Sequence, residues 1–447
     1  MILRREACER PAAAEQGRKD VLIGAVADDI TGATDLCLML SREGMRTIQV
    51  IGVPANDMDF SGADAVVVAL KSRTIPARQA VDMSLASARV LLAAGAEQLI
   101  FKYCSTFDST DAGNIGPVAE ALQDLTGTPV TIACPSFPAA GRTVYKGHLF
   151  VGDRLLSESP LKDHPLTPMR DPDLVRVLQR QCSRPVGLVQ ADTVVKGPEA
   201  LKAAIDEQYA AGKRILVVDT LSDADLRVIG KACAGMKLVT GGSGVAMGLP
   251  ENFRRTKEFT PRARTTRMVA PSGRAAILAG SCSAATRGQI EVAQAAGLPV
   301  LRLDITAVAE GRQTATDLAN WVIAAQGDRP PLIYSSADPA ELTDIQARMG
   351  RHESGALVER TLADVARRLK DAGFSRFLIA GGETSGAIVE ALGVKVLLIG
   401  PEIDPGVPWT RSIAGPDLAL ALKSGNFGAR DFFLKAWTLL ETETADA

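Results

Sequence analysis

The sequence predicts an α/β protein of two domains, each a mostly parallel sheet flanked by helices. Two observations carry that expectation. Short apolar, β-branched runs alternate with helix-period patterns along most of the chain, as in parallel sheets covered on both faces. The alternation lapses over a basic, poorly periodic stretch at 251–274 and then resumes. With 447 residues and 46% hydrophobic content, the chain has material for two or three cores.

Residues 1–20 are charged and lack an apolar stretch, so they read as a disordered N-terminal extension rather than a secretory signal. The first unit is VLIGAVADDITGATD, Val21–Asp35. Its apolar run predicts a buried strand, stopped by two adjacent carboxylates, Asp28 and Asp29. Thr31-Gly32-Ala33 and a helical pattern through Leu36 and Leu40 follow. Two like charges side by side at a strand end repel, and they need water, a cation or hydroxyl donors. The crevice beyond strand carboxyl ends is where such sheets bind ligands. A helix-capping role for one Asp is the plainer alternative.

Further strands are expected at Thr47–Val53, Ala65–Leu70, Gln98–Lys102, Val130–Cys134, Val186–Gln190 and Ile215–Asp219. Helices are expected at Ala77–Ala94, Ile115–Leu125, Pro198–Ala211 and Ala224–Ala234. Lys71-Ser72-Arg73 closes one strand and Lys102–Thr110 another. Arg73 and Lys102 could neutralise a carboxylate, the former bidentately. Ser105, Thr106 and Asp108 could bind hydroxyls of a small polyol acid. Residues 135–170 read as a proline-punctuated, substrate-facing loop. His148 and His164 within it are read as orienting loops by hydrogen bonding. The GGSG turn, Gly241–Gly244, is compatible with a tight turn or a ligand contact.

Domain limits follow: 21–250, a linker at 251–274, and 275–447. Strands are expected in the second domain at Ala275–Ala279, Val300–Leu303, Leu332–Ser335, Phe377–Ala380 and Val396–Ile399, with helices between them. It carries three glycine turns at strand ends: Gly280-Ser281, Gly381-Gly382-Glu383-Thr384 and Ser424-Gly425. Such turns let a backbone approach a phosphate and offer it N–H groups. Neither GxxxxGK[ST] nor an early GxGxxG is present, so P-loop and Rossmann readings lose ground.

Composition excludes other classes. Net charge is -2, which argues against a nucleic-acid partner. No apolar run nears the ~18 residues that span a bilayer. The 7 cysteines are dispersed and odd in number, as for buried thiols in a reducing cytoplasm. The 3 histidines are too scattered for a metal cage, and no protein metal site is expected.

Together ADDITGATD at Ala27–Asp35, KYCSTFDST at Lys102–Thr110, GGSG, GGETSGA at Gly381–Ala387 and KSGNFG at Lys423–Gly428 resemble the four-carbon acid sugar kinase family. GNIGPV at Gly113–Val118, GRTVYKGHLFVGDRLLSES at Gly141–Ser159 and DHPLTPM at Asp163–Met169 are similar to its 3-oxo-tetronate kinase branch. Pro160-Leu161 departs from that branch's Gly-Met. The resemblance spans about residues 21 to 435. It implies an acid-sugar-binding N-terminal domain, a nucleotide-binding C-terminal domain, and ATP-dependent phosphorylation of a C4 hydroxyl. It puts ATP contacts on Ser281, Gly381, Gly382, Glu383, Thr384 and Gly425, with Mg²⁺ bridging the phosphates. On this reading the acid-sugar carboxylate meets Arg73 and Lys102, and Asp29 orients or deprotonates the hydroxyl. Asp28 supports a cation or the turn and belongs to the substrate site. The expected partner is a small-molecule acid sugar, and a homodimer is the assembly considered. A tetronate kinase, an NAD-dependent acid-sugar oxidoreductase and a non-catalytic acid-sugar sensor stand as alternatives.

Overall fold

The computed structural model describes residues 21–163, 167–256, 259–263, 266–325, 327–335, 344–345 and 347–442. The expected extension over 1–20 and His164 lie outside the described residues.

The N-terminal half contributes β1 (Ile23–Ala27), β2 (Thr47–Ile51), β3 (Ala65–Ala69), β4 (Gln98–Lys102) and β5 (Thr131–Cys134). Three short strands follow, β6 (Arg142–Tyr145), β7 (His148–Val151) and β8 (Arg154–Leu155), then β9 (Val186–Val189), β10 (Ile215–Val218) and β11 (Leu238–Gly241). The C-terminal half contributes β12 (Met268–Ala270), β13 (Arg274–Ala279), β14 (Val300–Arg302), β15 (Leu332–Tyr334), β16 (Phe374–Ala380), β17 (Val396–Asp404), β18 (Val407–Ala414), β19 (Ala419–Lys423) and β20 (Leu440–Thr442). Helices stand between most of them, so the α/β class with mostly parallel pairing is what the chain forms.

The two expected sheets are continuous. One sheet of 15 strands runs β14-β15-β13-β16-β19-β18-β17-β2-β3-β1-β4-β11-β5-β10-β9. Its halves join through the antiparallel pair β17–β2, with Val396 opposite Val50. Both faces are buried. In β1 and β3, Ile23, Ala25, Ala65 and Val67 enter one core, and Val26, Val66 and Val68 the other. That is the period-two alternation of a strand covered on both sides.

Residues 135–170 are largely structured rather than a loop, because β6, β7 and β8 form a small antiparallel sheet. Lys146 and Gly147 join β6 to β7 with φ of 49° and 76°. Two positive φ values give the hairpin turn that matches strand twist. Asp219 holds that tip, accepting from the Lys146 N–H at 2.7 Å and the Gly147 N–H at 2.8 Å. His148 does what the sequence suggested, its Nδ1 lying 2.8 Å from the Lys146 carbonyl. The basic stretch is not a bare connector either. It opens with a helix, Pro250–Arg255, and ends in β12, which pairs with β20.

The helix Ile30–Arg42 is buried from Ile30 to Leu40 apart from Gly32. It packs against β2 and β3 on one side and against β18 and the helix Gly382–Ala391 on the other. A helix buried on nearly every side lies in an interior, and this one forms the seam between the halves. No helix among the described residues is long and apolar enough to cross a membrane.

Candidate active site

Strand order sets one wall of a cleft. β1 lies between β3 and β4, and Ala27 stands opposite both Ala69 and Lys102. β1 is therefore the point where strand order reverses, and the residues leaving the three strands emerge together. Arg73 grips Asp28 with its fork, Nε to Oδ2 and Nη2 to Oδ1, both at 2.8 Å. Nη2 also donates to Asp29 Oδ1 at 2.6 Å, and Lys102 Nζ is 3.6 Å from that oxygen. Asp29 Oδ2 accepts from Thr31 Oγ1 at 2.8 Å and from the Gly32 N–H at 3.1 Å, which caps the helix Ile30–Arg42.

The two carboxylates differ. Burial pushes Asp28 above its usual range in spite of Arg73. Burial acts in the same sense on Asp29, but Arg73, Lys102 and the Thr31 and Gly32 donors outweigh it and hold the group well below the usual range. Asp29 is thus an ionised group with both oxygens occupied, suited to orienting a donor and ill suited to taking a proton. The Arg73 fork takes one site on each Asp28 oxygen and already supplies its counter-charge. Arg73 in turn is committed to the Asp pair instead of standing free for a substrate carboxylate. Gly32 lets this cluster close, since a Cβ there would lie 1.9 Å from Lys102 Nζ and 2.2 Å from Asp29 Oδ1.

Ser105, Thr106 and Asp108 line the same cleft. Thr106 Oγ1 lies 2.9 Å from Cys104 Sγ and donates to Asp108 Oδ1 at 2.7 Å. Phe107 turns the loop with a φ of 57° and buries its ring edge-on to Tyr103, at 5.4 Å between centroids.

The facing wall repeats the arrangement. β13 lies between β15 and β16, and β16 pairs with β19, so Ala279, Ala380 and Lys423 stand in register. The three glycine turns leave side by side. Gly381 has a φ of 130° and donates its N–H to the Lys423 carbonyl at 2.8 Å. A Cβ on Gly280 would meet Thr384 Oγ1 at 2.1 Å, and one on Gly425 would meet Ser281 Oγ at 2.6 Å. Gly382 opens the helix Gly382–Ala391, where a Cβ would meet only Thr31 Oγ1, at 3.6 Å. Behind these turns lies a cavity of about 270 Å³, lined by Ser281, Ser335, Glu359, Gly381 and Thr384.

The walls face each other across a cleft of about 830 Å³, lined by Asp28, Asp29, Arg73 and Ser105 on one side and Ser281, Gly382, Glu383 and Gly425 on the other. Lys71 spans it, 3.5 Å from Glu383 and 3.7 Å from Glu359. Every site residue expected from the sequence therefore lies on this cleft, beside it, or on the cavity behind the glycine turns.

Three further groups were not singled out by sequence reasoning. Arg142 of β6 lines the cleft, and no carboxylate of the described residues pairs with it; its buried Nε has no acceptor. Asp35, 8% exposed, accepts from Ser243 while its Oδ1 has no donor. It borders a hollow of about 60 Å³ beside Asp29 and Lys102, and burial pushes its carboxyl up to about 6. Ser243 sits in GGSG, whose other residues resolve as a packing turn: a Cβ on Gly241 or Gly242 would strike the Cys134 or Pro135 carbonyl, at 2.2 and 2.4 Å. The third group is Lys423, taken up below. Each sits inside a motif noticed in the sequence, but its lack of an ion-pair partner among the described residues is a tertiary fact.

Two family models match the chain. A family model described as a sugar-binding N-terminal domain matches residues 23–249, and one described as a nucleotide-binding C-terminal domain matches residues 276–433. The chain is 55% identical over 420 residues to a 3-oxo-tetronate kinase of Burkholderia multivorans, covering 94% of this chain and 97% of that one. It is 51% identical to a Pseudomonas fluorescens protein of the same name, covering 93% and 96%. A solved structure from Salmonella typhimurium LT2, provisionally described as a tRNA synthase, superposes with a TM-score of 0.81 at 40% identity, over 93% of this chain and 98% of that one.

Proposed function

The chain belongs to the four-carbon acid sugar kinase family, and on that premise we propose that it uses ATP to phosphorylate the C4 hydroxyl of 3-oxo-tetronate. The observation that carries this reading is the single cleft with an acid-and-cation cluster on one wall and three in-register glycine turns on the other. Phosphoryl transfer needs positioning and charge neutralisation more than covalent chemistry, and this arrangement offers both.

The nucleotide lies over Ser281, Gly381–Thr384 and Gly425, whose backbone can approach phosphates closely. The acid sugar lies among Ser105, Thr106 and Asp108. Arg142, whose guanidinium donates to the Ala140 carbonyl but pairs with no carboxylate of the described residues, takes the substrate carboxylate. Lys102 and Arg73 keep the surroundings of Asp29 positive, and Asp29 orients the hydroxyl. Asp35, with an unpaired oxygen and a pKa near the working range, is the better acceptor for the hydroxyl proton. The hollow beside it has room for a bridging water. Mg²⁺ supplies neutralisation of the phosphates when bound. Glu383 and Glu359, which now share Lys71, are the carboxylates that would hold it.

The test is ADP release with 3-oxo-tetronate, threonate and erythronate offered in turn with ATP. Release that requires 3-oxo-tetronate is expected. Equal turnover of the tetronates would shift the substrate, and NAD reduction without ADP would replace the reaction class. Sedimentation of the same preparation tests the homodimer.

A further inference from the structure

Lys423 is the last residue of β19, and its side chain is fully buried. No carboxylate of the described residues pairs with it. Its Nζ donates instead to three neutral oxygens, Thr286 Oγ1 and the carbonyls of Ser424 and Gly425, each at 3.0 Å. A buried charge is ordinarily paired with another charge. This one holds only dipoles, and the dipoles have a second end.

Both peptides concerned are trans, so carbonyl and N–H point in opposite directions. Drawing the Ser424 carbonyl inward turns the Gly425 N–H outward. Drawing the Gly425 carbonyl inward does the same for the Asn426 N–H. The second carbonyl is held firmly, accepting also from Ser283 Oγ at 2.5 Å and Thr286 Oγ1 at 3.0 Å. Neither outward N–H has an acceptor among the described residues, and both residues line the cleft. Successive N–H groups of this kind form an anion-binding concavity.

We propose that Lys423 is a positioning residue, an internal cation beneath the β19 turn that aims the Gly425 and Asn426 N–H groups at a phosphate of the nucleotide and places positive charge behind them. This rests on the nucleotide reading of the cleft and extends it to a residue that the nucleotide does not touch. The ammonium's hydrogen-bond partners, Thr286 and the Ser424 and Gly425 carbonyls, and Ser283 at the neighbouring helix N-cap carry no titratable group. Burial alone pulls the ammonium down to about 7, so its charge is fading as the pH rises above neutrality.

The experiment is calorimetric ATP binding to the full chain at pH 7 and pH 9, for wild type, Lys423→Met and Asn426→Pro. Wild-type affinity is expected to fall at pH 9. ATP only gains negative charge over that interval, so the ligand's own titration does not produce the fall. Lys423→Met should bind ATP about tenfold or more weakly at pH 7, the size of a lost charge-assisted contact, and lose the pH dependence. Its acid-sugar affinity should stay near the wild-type value. Asn426→Pro, at an exposed position, deletes one N–H and should bind weakly while keeping the pH dependence. A folded Lys423→Met protein with wild-type affinity and pH profile would overturn the proposal. If that variant does not fold, the wild-type profile and Asn426→Pro decide it, and unchanged affinity in both sinks it. Wild type that binds no ATP at all would instead remove the kinase reading on which it rests.

Discussion

At the scale of single residues, the cluster at the end of β1 behaves as a unit. Removing the partner of a buried charge leaves that charge uncompensated, at about 3–5 kcal/mol when burial is complete. Arg73→Met should therefore destabilise the chain by roughly the lower end of that range, since Arg73 is itself 22% exposed. The loss should shrink as pH is lowered, because a neutral Asp28 needs no counter-charge. Thermal unfolding across pH 4 to 8 reads both effects, and a loss independent of pH would show that Asp28 is not the group left stranded. Gly32→Ala should push both the Lys102 ammonium and the Asp29 carboxylate out of place, since its methyl would meet each of them, and abolish most turnover as read by ADP release. Asp35 predicts a pH limb. Its carboxyl is raised to about 6, so it is protonated and unable to accept a proton below that value. Turnover should fall as pH drops through about 6. Asp35→Asn should lower it by about 10²–10⁴-fold and flatten the limb, whereas Asp29→Asn should leave the limb in place. The reverse result would return the base to Asp29. Adjacent carboxylates after an apolar run were legible in the sequence as a site. Which of them stays ionised was not, because that depends on Arg73 and Lys102 arriving from two other strands.

At the scale of elements, the glycine turns were legible as strand-to-helix junctions, but not which glycine each turn requires. The sequence does not separate Gly381 from Gly382. The residue whose backbone requires glycine is Gly381, with a φ of 130° and a Cβ position 2.8 Å from Thr384 Oγ1. Gly381→Ala should weaken ATP binding at least about tenfold, as a strained backbone of ~1–3 kcal/mol is relieved by moving the turn. Gly382→Ala, whose methyl would meet only Thr31 Oγ1 at an ordinary 3.6 Å, should weaken it much less. Calorimetry on the two variants separates them, and equal losses would mean that crowding of the nucleotide outweighs backbone strain. The meander β6–β8 was hidden for a related reason. Its prolines and short runs read as loop, while the Lys146-Gly147 turn that makes a hairpin of it draws on Asp219, 73 residues from Lys146.

At the scale of the molecule, the 251–274 stretch reads in sequence as a seam, and a reader of the sequence alone would expect the C-terminal half to bind ATP by itself. The structure changes that expectation. β2 and β17 come from opposite ends of the chain, yet their pairing carries one sheet through both halves, and no local pattern announces such a partnership. Arg42 donates from its Nε to Glu402 at 2.9 Å across the same seam. The helix Ile30–Arg42 covers β18 and the helix Gly382–Ala391, which carries the Gly381 turn at its start. Cutting at residue 266 would expose β17 as an unpaired strand edge and bare the apolar surface beneath that helix. Exposed edges of this kind pair with other chains. A fragment of residues 266–447 expressed alone should therefore associate or precipitate and bind ATP poorly. Co-expression with residues 1–256 should restore a soluble 1:1 complex with nucleotide affinity close to that of the whole chain. Size-exclusion chromatography followed by calorimetry checks this. A monomeric, soluble 266–447 fragment with full ATP affinity would mean that the β2–β17 pairing is a dispensable contact between two self-sufficient domains. Complementation would instead show that the C-terminal half needs the β2–β17 pairing to stay soluble and bind nucleotide.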